Sequence, residues 1–74
     1  MTLDQILATY PNRNIYILDA NTVSELVVVV EPNGNVLITF EKIDDAYQVY
    51  DTYYDNVKFS EVAWYWGNTV TAYA

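Results

Sequence analysis

The stretch VSELVVVVEPNGNVLITFE, residues 23–41, decides the fold. Two runs rich in β-branched residues, 23–31 and 35–41, flank the tripeptide Pro32-Asn33-Gly34, and such runs favour strands. Proline presets the first turn position, and glycine accepts the left-handed conformation that closes a bulged three-residue loop. The sequence therefore predicts a β-hairpin centred on this loop.

The register of the hairpin predicts which strand face is buried. If Glu31 faces Asn35, three apolar pairs share one face, which we expect to be the core because directly opposed residues lie on the same side of a sheet. These pairs are Val30 with Val36, Val28 with Ile38 and Leu26 with Phe40.

The opposite face of the hairpin is also unusually apolar, since it carries Val27, Val29 and Leu37. A fully solvated sheet face is normally more polar than this. We expect something to cover it: the C-terminal segment, a second copy of the chain or a partner. The C-terminal segment is the favoured candidate, because sheets usually bury apolar faces within their own domain.

A short helix is predicted at the start of the chain. Thr2 and Gln5 have the spacing of a capping box, and Pro11 ends the element. Apolar residues at i, i+3, i+4 and i+7 give the helix one core-facing side. They are Leu3, Ile6, Leu7 and Tyr10. Residues 15–18 then read as a short strand.

Residues 43–54 permit two interpretations. Apolar residues recur at helical spacing, and Asp44 or Asp45 would cap the start, so a helix is the favoured prediction. The alternative is a strand, because Tyr, Val and Thr dominate residues 47–54 and favour pleated surfaces.

The secondary structure of the tail, residues 57–73, also permits two predictions. Gly67-Asn68 suits a two-residue hairpin turn, which would place Val62, Trp64 and Trp66 on one face, and this is the weakly favoured prediction. Alternatively, Ser60 caps a helix that ends at Gly67 and leaves residues 69–73 as a strand. Overall, the sequence predicts one α+β domain over residues 1–74, an antiparallel sheet of three to five strands with one or two helices packed on it.

The amino-acid composition excludes several classes of function. The 74 residues include ten Asp and Glu against three Lys and Arg, for a net charge of -7, and contain neither His nor Cys. Without these two residue types, the chain can form neither disulfides nor the usual nucleophilic triads, so we expect a protein that binds rather than an enzyme. The negative charge disfavours direct nucleic-acid binding. Solubility is the favoured explanation of the charge, and a basic protein partner is the alternative.

No apolar run approaches the length of a membrane span, and the start of the chain lacks the layout of a signal peptide, so a soluble cytoplasmic protein is expected. No cofactor or metal is expected either. The acidic cluster Asp44, Asp45, Asp51 and Asp55 lacks the spacing of a calcium loop. If residues 43–55 are helical, Asp44, Asp51 and Asp55 project on one side, with Asp45 beside them. A solvated helix face is the favoured interpretation of this row, and the alternative is a binding surface that imitates spaced phosphates.

The tyrosines also permit two interpretations, a binding surface and core packing. Six of the eight tyrosines combine apolar area with a hydroxyl in the second half of the chain, a mixture enriched at binding hot spots. They are Tyr47, Tyr50, Tyr53, Tyr54, Tyr65 and Tyr73. Core packing is the favoured explanation for most of them.

The order of these features resembles that of the small phage-encoded anti-CRISPR proteins of the type II-A inhibitors. The opening MTLDQIL, residues 1–7, looks like the first helix of that group, SELVV at 24–28 like its second strand, and NGN at 33–35 like its hairpin loop. The sequence departs from the group at Pro32 and in the aromatic stretch 64–73, which replaces an acidic C-terminal portion.

The resemblance implies an inhibitor that mimics DNA in the basic groove of an RNA-guided nuclease in the bacterial host. By the same resemblance, Glu31, Asn33, Gly34 and Asn35 belong to the loop contact. The carboxylates Asp44, Asp45, Asp51 and Asp55 are predicted to contact the groove for a reason of charge, since carboxylates facing Arg and Lys gain charge-assisted contacts. The alternative from another functional class is an assembly module that self-associates as a homodimer through its apolar sheet face and aromatic residues.

Overall fold

A computed structural model of the chain describes residues 1–19, 25–66 and 69–72. Over these ranges, two α-helices and a short 3₁₀ helix accompany five strands of one antiparallel sheet. In chain order the elements are α1 (Leu3–Thr9), β1 (Asn14–Asp19), β2 (Glu25–Val30), β3 (Val36–Ile43), β4 (Ala46–Val49), the 3₁₀ helix (Thr52–Tyr54), α2 (Phe59–Trp66) and β5 (Thr69–Ala72).

The described strands lie in the order β4-β3-β2-β1-β5, and every neighbouring pair is antiparallel. β1 to β4 form a meander, and β5 returns beside β1 at the other edge. This is the predicted α+β architecture, with the sheet at the upper end of the expected strand number. The predicted strand at residues 15–18 is confirmed as part of β1.

The start of α1 follows the predicted capping box. The backbone N–H of Gln5 donates to Thr2 Oγ1 at 3.2 Å, and the backbone N–H of Thr2 donates to Gln5 Oε1 at 2.8 Å. Ile6 is fully buried, and the other residues of the predicted apolar face pack around the same cluster. Before the helix, the backbone of Met1 exchanges two hydrogen bonds with that of Tyr47 in β4, at 2.7 and 2.9 Å.

The central strand β2 is buried on both of its faces. On one face, Ile6 of α1 packs in a cluster with Val27 and Val29. On the other, Val62 of α2 packs in a second cluster with Leu26 and Val28. The uninterrupted apolar run of β2 matches this arrangement, since a strand between two covering layers has no solvated side. The favoured prediction for the Val27 and Val29 face was therefore wrong: α1 covers it, and the C-terminal helix covers the opposite face.

The β2–β3 hairpin forms as predicted, but its register shifts between Val29 and Val30. Val30 pairs with Val36, as expected, whereas Val28 pairs with Thr39. The expected pairing of Leu26 with Phe40 is also wrong, since Leu26 opposes Glu41 and Phe40 opposes Val27. Because every position of β2 from 26 to 30 is apolar, sliding by one residue still buries apolar side chains on both faces, and the pattern cannot distinguish the two registers.

Residues 43–54 do not form the favoured helix. They continue the meander as β4, which pairs Phe40 with Val49 and Lys42 with Tyr47, and then form the 3₁₀ helix. Asp44, with a φ of 56°, and Asp45 form the turn between β3 and β4. The aromatic and β-branched residues of this segment pair with the outer edge of β3, a partner that helical periodicity does not take into account.

The tail also takes the less favoured alternative. α2 ends at Trp66, and Thr69–Ala72 forms β5 against β1, while the Gly67-Asn68 turn lies outside the described residues. In this helix Val62 and Trp66 are one turn apart and face the sheet, whereas Trp64 points outward and is 78% exposed. The expected shared face of Val62, Trp64 and Trp66 is therefore wrong.

Candidate functional site

The loop predicted to contact a partner closes as its sequence requires. Gly34 has a φ of 91°, and its N–H donates to the carbonyl of Glu31 at 2.9 Å. The side-chain oxygen of Asn33 accepts from the N–H of Asn35 at 2.9 Å, an Asx turn within the loop. All four predicted loop residues, Glu31 included, thus take part in the turn or flank it.

This loop is paired with the first residue of α2 and with the residue before it. The N–H of Phe59 donates to the carbonyl of Gly34 at 3.0 Å, and Asn35 forms a β-bridge with Lys58. The carboxylate of Glu31 lies 2.9 Å from Nε of Arg13. Among the four predicted residues, only Asn33 is exposed. The loop is therefore part of the packed body, and Pro32-Asn33 is the portion it presents to solvent.

The predicted carboxylate row is not formed. Asp44 and Asp45 lie in the β3–β4 turn, whereas Asp51 and Asp55 cap the two ends of the 3₁₀ helix. Because residues 43–55 are not one helix, the regular spacing of phosphate-like charges is lost. The structure instead divides these four carboxylates into two exposed or partly exposed pairs.

Beside the 3₁₀ helix lies a cleft of about 340 Å³ that is lined by Tyr50, Tyr53, Tyr54 and Tyr65, and Asp51 directly follows Tyr50 in the chain. We call this feature the tyrosine cleft. Three of its residues come from the segment between β4 and the end of the 3₁₀ helix, and the fourth comes from the last turn of α2. A local sequence pattern therefore supplies most of the cleft, and the docking of α2 completes it.

Backbone contacts fix the local geometry of the cleft. The N–H of Tyr50 donates to the carbonyl of Thr39 in β3 at 2.9 Å, which holds the end of β4 on the sheet. The carboxylate of Asp51 accepts from the N–H of Thr52 at 2.8 Å and caps the 3₁₀ helix. The aromatic residues that follow are thereby turned toward α2.

The rings of the cleft contact one another at two orientations. Tyr50 and Tyr54 lie nearly parallel, with centroids 5.9 Å apart, and Tyr53 meets Tyr54 edge-on at 5.4 Å and 78°. Behind them, Nε1 of Trp66 donates to the hydroxyl of Tyr54 at 3.1 Å. Tyr54 is thus held from both sides, while Tyr53 is 76% and Tyr65 72% exposed.

The electrostatic environment of the cleft is negative. Glu41 opposes Leu26 and so lies on the sheet face against which Tyr50 packs, and Asp51 directly follows Tyr50. Burial raises the pKa of the Tyr50 hydroxyl above its ordinary value, and neighbouring Tyr54, Glu41 and Asp51 act in the same direction. The carboxylates at this site would attract a cation and repel an anion.

A second cleft of about 380 Å³ adjoins the first through Tyr65, with Ser60, Glu61 and Trp64 as its other lining residues. The rings of Trp64 and Tyr65 meet edge-on at 5.5 Å and 76°. Together the two clefts form one acidic and aromatic surface on the α2 side of the sheet.

The sequence singles out the tyrosines at positions 47, 50, 53, 54, 65 and 73 without assigning each of them to a surface or a core. Their composition indicated a binding surface or a core, and only tertiary structure separates the two outcomes. Tyr47 is core, because it is 7% exposed and its hydroxyl donates to Glu25 at 2.8 Å. Tyr53 and Tyr65 are surface. Tyr73 lies outside the described residues.

Within the described ranges, no three carboxylates converge as a metal site would require. In those ranges, too, no helix has the length and apolar character needed to cross a membrane. Comparisons with protein-family models, with curated proteins and with solved structures find no match to this chain.

Proposed function

We propose that this chain is a non-enzymatic module that docks its acidic, aromatic surface onto a basic surface of another protein. One observation carries the proposal: four tyrosines line a cleft beside Asp51 on a chain of net charge -7. Tyrosine and tryptophan dominate binding hot spots, because they bury a large area at a small cost in conformational entropy. Carboxylates around them would form charge-assisted hydrogen bonds with Arg and Lys.

The proposed target is the DNA-binding groove of a CRISPR effector nuclease, as the resemblance to type II-A inhibitors implies. In this proposal, Asp51 and Asp55 approach the basic groove together with the exposed tyrosines. Asp44 and Asp45, at the β3–β4 turn, and the Asn33 tip of the hairpin contribute at separate points. The contact would inhibit the nuclease by excluding the DNA duplex that the groove reads.

The test uses a guide-loaded type II-A nuclease and measures both binding and cleavage of a target duplex. Since opposite charges steer and hold the two proteins, we expect affinity to fall between 50 and 200 mM salt. Changing Asp44, Asp51 and Asp55 together to Asn should weaken binding at least about tenfold, if each charged contact contributes roughly 0.5–1 kcal/mol.

Asp4→Asn is the control for this test, because Asp4 is an exposed carboxylate on α1, on the opposite side of the sheet. It should leave binding unchanged. Affinity that is insensitive to salt, or that survives the triple substitution, would refute the proposed docking mode.

Self-association is a second candidate, favoured by the exposure of the Trp64 and Tyr65 rings. Its expected apolar sheet face is covered, since Val27 and Val29 are 0% exposed beneath α1. Self-association would therefore use the second cleft. Sedimentation equilibrium would then show a mass that rises with concentration, and Trp64→Ala would restore the monomer. A monomer at every concentration would eliminate this candidate.

A further inference from the structure

The tyrosine cleft has a size and lining that select for a particular kind of ligand. Its volume of about 340 Å³ is near the lower limit of ligand pockets, so it accommodates a single side chain rather than an extended small molecule. Rings at both parallel and perpendicular orientations wall it. A flat cationic group could stack on one ring while its N–H donors reach hydroxyl or carboxylate oxygens at the rim.

The charge around the cleft favours a cation. Glu41 and Asp51 lie beside Tyr50, and no basic residue lines the cleft in the described part of the chain. The three basic residues of the sequence are placed elsewhere. Arg13 lies against Glu31, Lys42 pairs with the core residue Tyr47, and Lys58 is bridged to Asn35 in the hairpin loop. The negative charge of the cleft is therefore left for a ligand.

We propose that the tyrosine cleft is an anchor site for one arginine side chain of the partner protein, a step that rests on the docking function proposed above. Guanidinium fits better than ammonium for three physical reasons. It is planar and stacks on aromatic rings. It is also less strongly hydrated, so its desolvation costs less free energy. Its fork of donors also matches a carboxylate such as that of Asp51, which the 3₁₀ helix holds in place.

The test needs no macromolecular partner. The chain is titrated with three capped tripeptides, acetyl-Gly-X-Gly-amide, in which X is arginine, citrulline or lysine, and the tyrosine and tryptophan ring signals are followed by NMR. Citrulline keeps the shape of arginine but has no charge. We expect the arginine peptide to bind with a dissociation constant in the millimolar range, about tenfold tighter than the citrulline peptide and tighter than the lysine peptide.

Variants locate the site. Tyr53→Ala removes an exposed ring and should weaken arginine binding at least about threefold, whereas Tyr53→Phe keeps the ring and should bind almost as well. Asp51→Asn keeps a side-chain oxygen for capping Thr52 but loses the charge, and should also weaken binding. Asp4→Asn, across the sheet, should change nothing. Backbone spectra that overlay those of the parent would show that each variant remains folded.

The inference is overturned if citrulline or lysine binds as tightly as arginine, if no ring signal moves, or if Tyr53→Ala binds like the parent. Its failure is distinguishable from failure of the proposed function. If the chain binds the nuclease but the cleft does not bind the arginine peptide, only the proposed anchor site is refuted. If the cleft selects arginine but the chain binds no nuclease, the anchor site is supported and the proposed target is refuted.

Discussion

The indole N–H of Trp66 donates to the hydroxyl of Tyr54 across 3.1 Å and connects the last turn of α2 to the 3₁₀ helix. Tyr50 completes the contact, with its ring parallel to that of Tyr54 and edge-on to that of Trp66 at 6.4 Å and 81°. These three rings pack beneath the exposed rings of Tyr53 and Tyr65. The proposed binding surface is thus supported by the same contacts that pack α2 on the sheet.

The Trp66–Tyr54 hydrogen bond should contribute measurably to stability. Tyr54→Phe removes the acceptor from a partly buried donor, and we expect the free energy of unfolding to fall by about 1 kcal/mol. Tyr53→Phe removes a hydroxyl from a neighbouring exposed ring and should change it by less than about 0.5 kcal/mol. Urea unfolding of the two variants measures both values. Equal losses would show that the hydrogen bond does not contribute.

Thr39 offers a site where the chain should become more stable. Its side chain is 0% exposed, and its hydroxyl has no hydrogen-bond partner among the described residues. Thr39→Val replaces the hydroxyl with a methyl group of similar size and should stabilise the fold by about 1 kcal/mol, because a buried unpaired polar group is costly.

Thr39→Ser is the matched control for this site. It keeps the hydroxyl and loses a buried methyl, so thermal unfolding should occur at a lower temperature than in the parent. A valine variant that melts below the parent would contradict the prediction and indicate that the hydroxyl has a stabilising contact.

Gly34 should resist replacement by alanine for a backbone reason alone. A Cβ built there meets no atom within 4 Å, yet the φ of 91° is one that L-residues rarely adopt. We expect Gly34→Ala to lower the free energy of unfolding by about 1–2 kcal/mol and Gly34→Asn to lower it less, since asparagine tolerates positive φ better. Chemical denaturation compares the two. Equal stability of the alanine variant and the parent would mean that the loop relaxes without strain.

Tyr50 should make the fold sensitive to alkaline pH. Its folded-state pKa is raised, mainly by burial, so the unfolded chain releases this proton at a lower pH than the folded chain does. The neutral hydroxyl therefore contributes its full stability below the unfolded pKa, and that contribution disappears as pH rises through the folded pKa. The direction of the effect is a loss of stability on the alkaline side.

Unfolding by urea at a series of pH values from 8 to about 11 measures this loss. Tyr50→Phe has no proton to release and should show a shallower alkaline decline than the parent. Tyr53→Phe, a substitution of the same type in the same cleft, should keep the steeper decline of the parent. A Tyr50→Phe profile parallel to that of the parent would contradict the prediction.

Local chemistry was sufficient for several parts of the fold. The capping box of Thr2 and Gln5 fixes the start of α1, and Pro32-Asn33-Gly34 fixes the hairpin, because each motif satisfies its own backbone groups within a few residues. The α+β class also followed from the sequence, since it needs only the element types and their order. These features do not depend on what packs against them.

The segment 43–54 shows where such reasoning fails. Its tyrosines recur at helical spacing, yet Tyr47 and Val49 pair with β3 and Tyr50 ends the meander. The outer edge of β3, reached through the turn at Asp44 and Asp45, supplies backbone hydrogen-bond partners to this segment, and these outweigh a periodicity that suits both structures. Because this helix does not form, the row of carboxylates that was predicted on it does not form either.

By itself, then, the sequence determined the acidity of the chain, its lack of His and Cys chemistry, the first helix and the central hairpin. Tertiary structure alone decided the register beyond Val29, the assignment of α1 and α2 to opposite faces, and the meeting of Tyr65 with Tyr50, Tyr53 and Tyr54. The physical reason is the same throughout. Turns and caps are satisfied by neighbours in sequence, whereas register, covering layers and clefts depend on which distant apolar surfaces exclude water together.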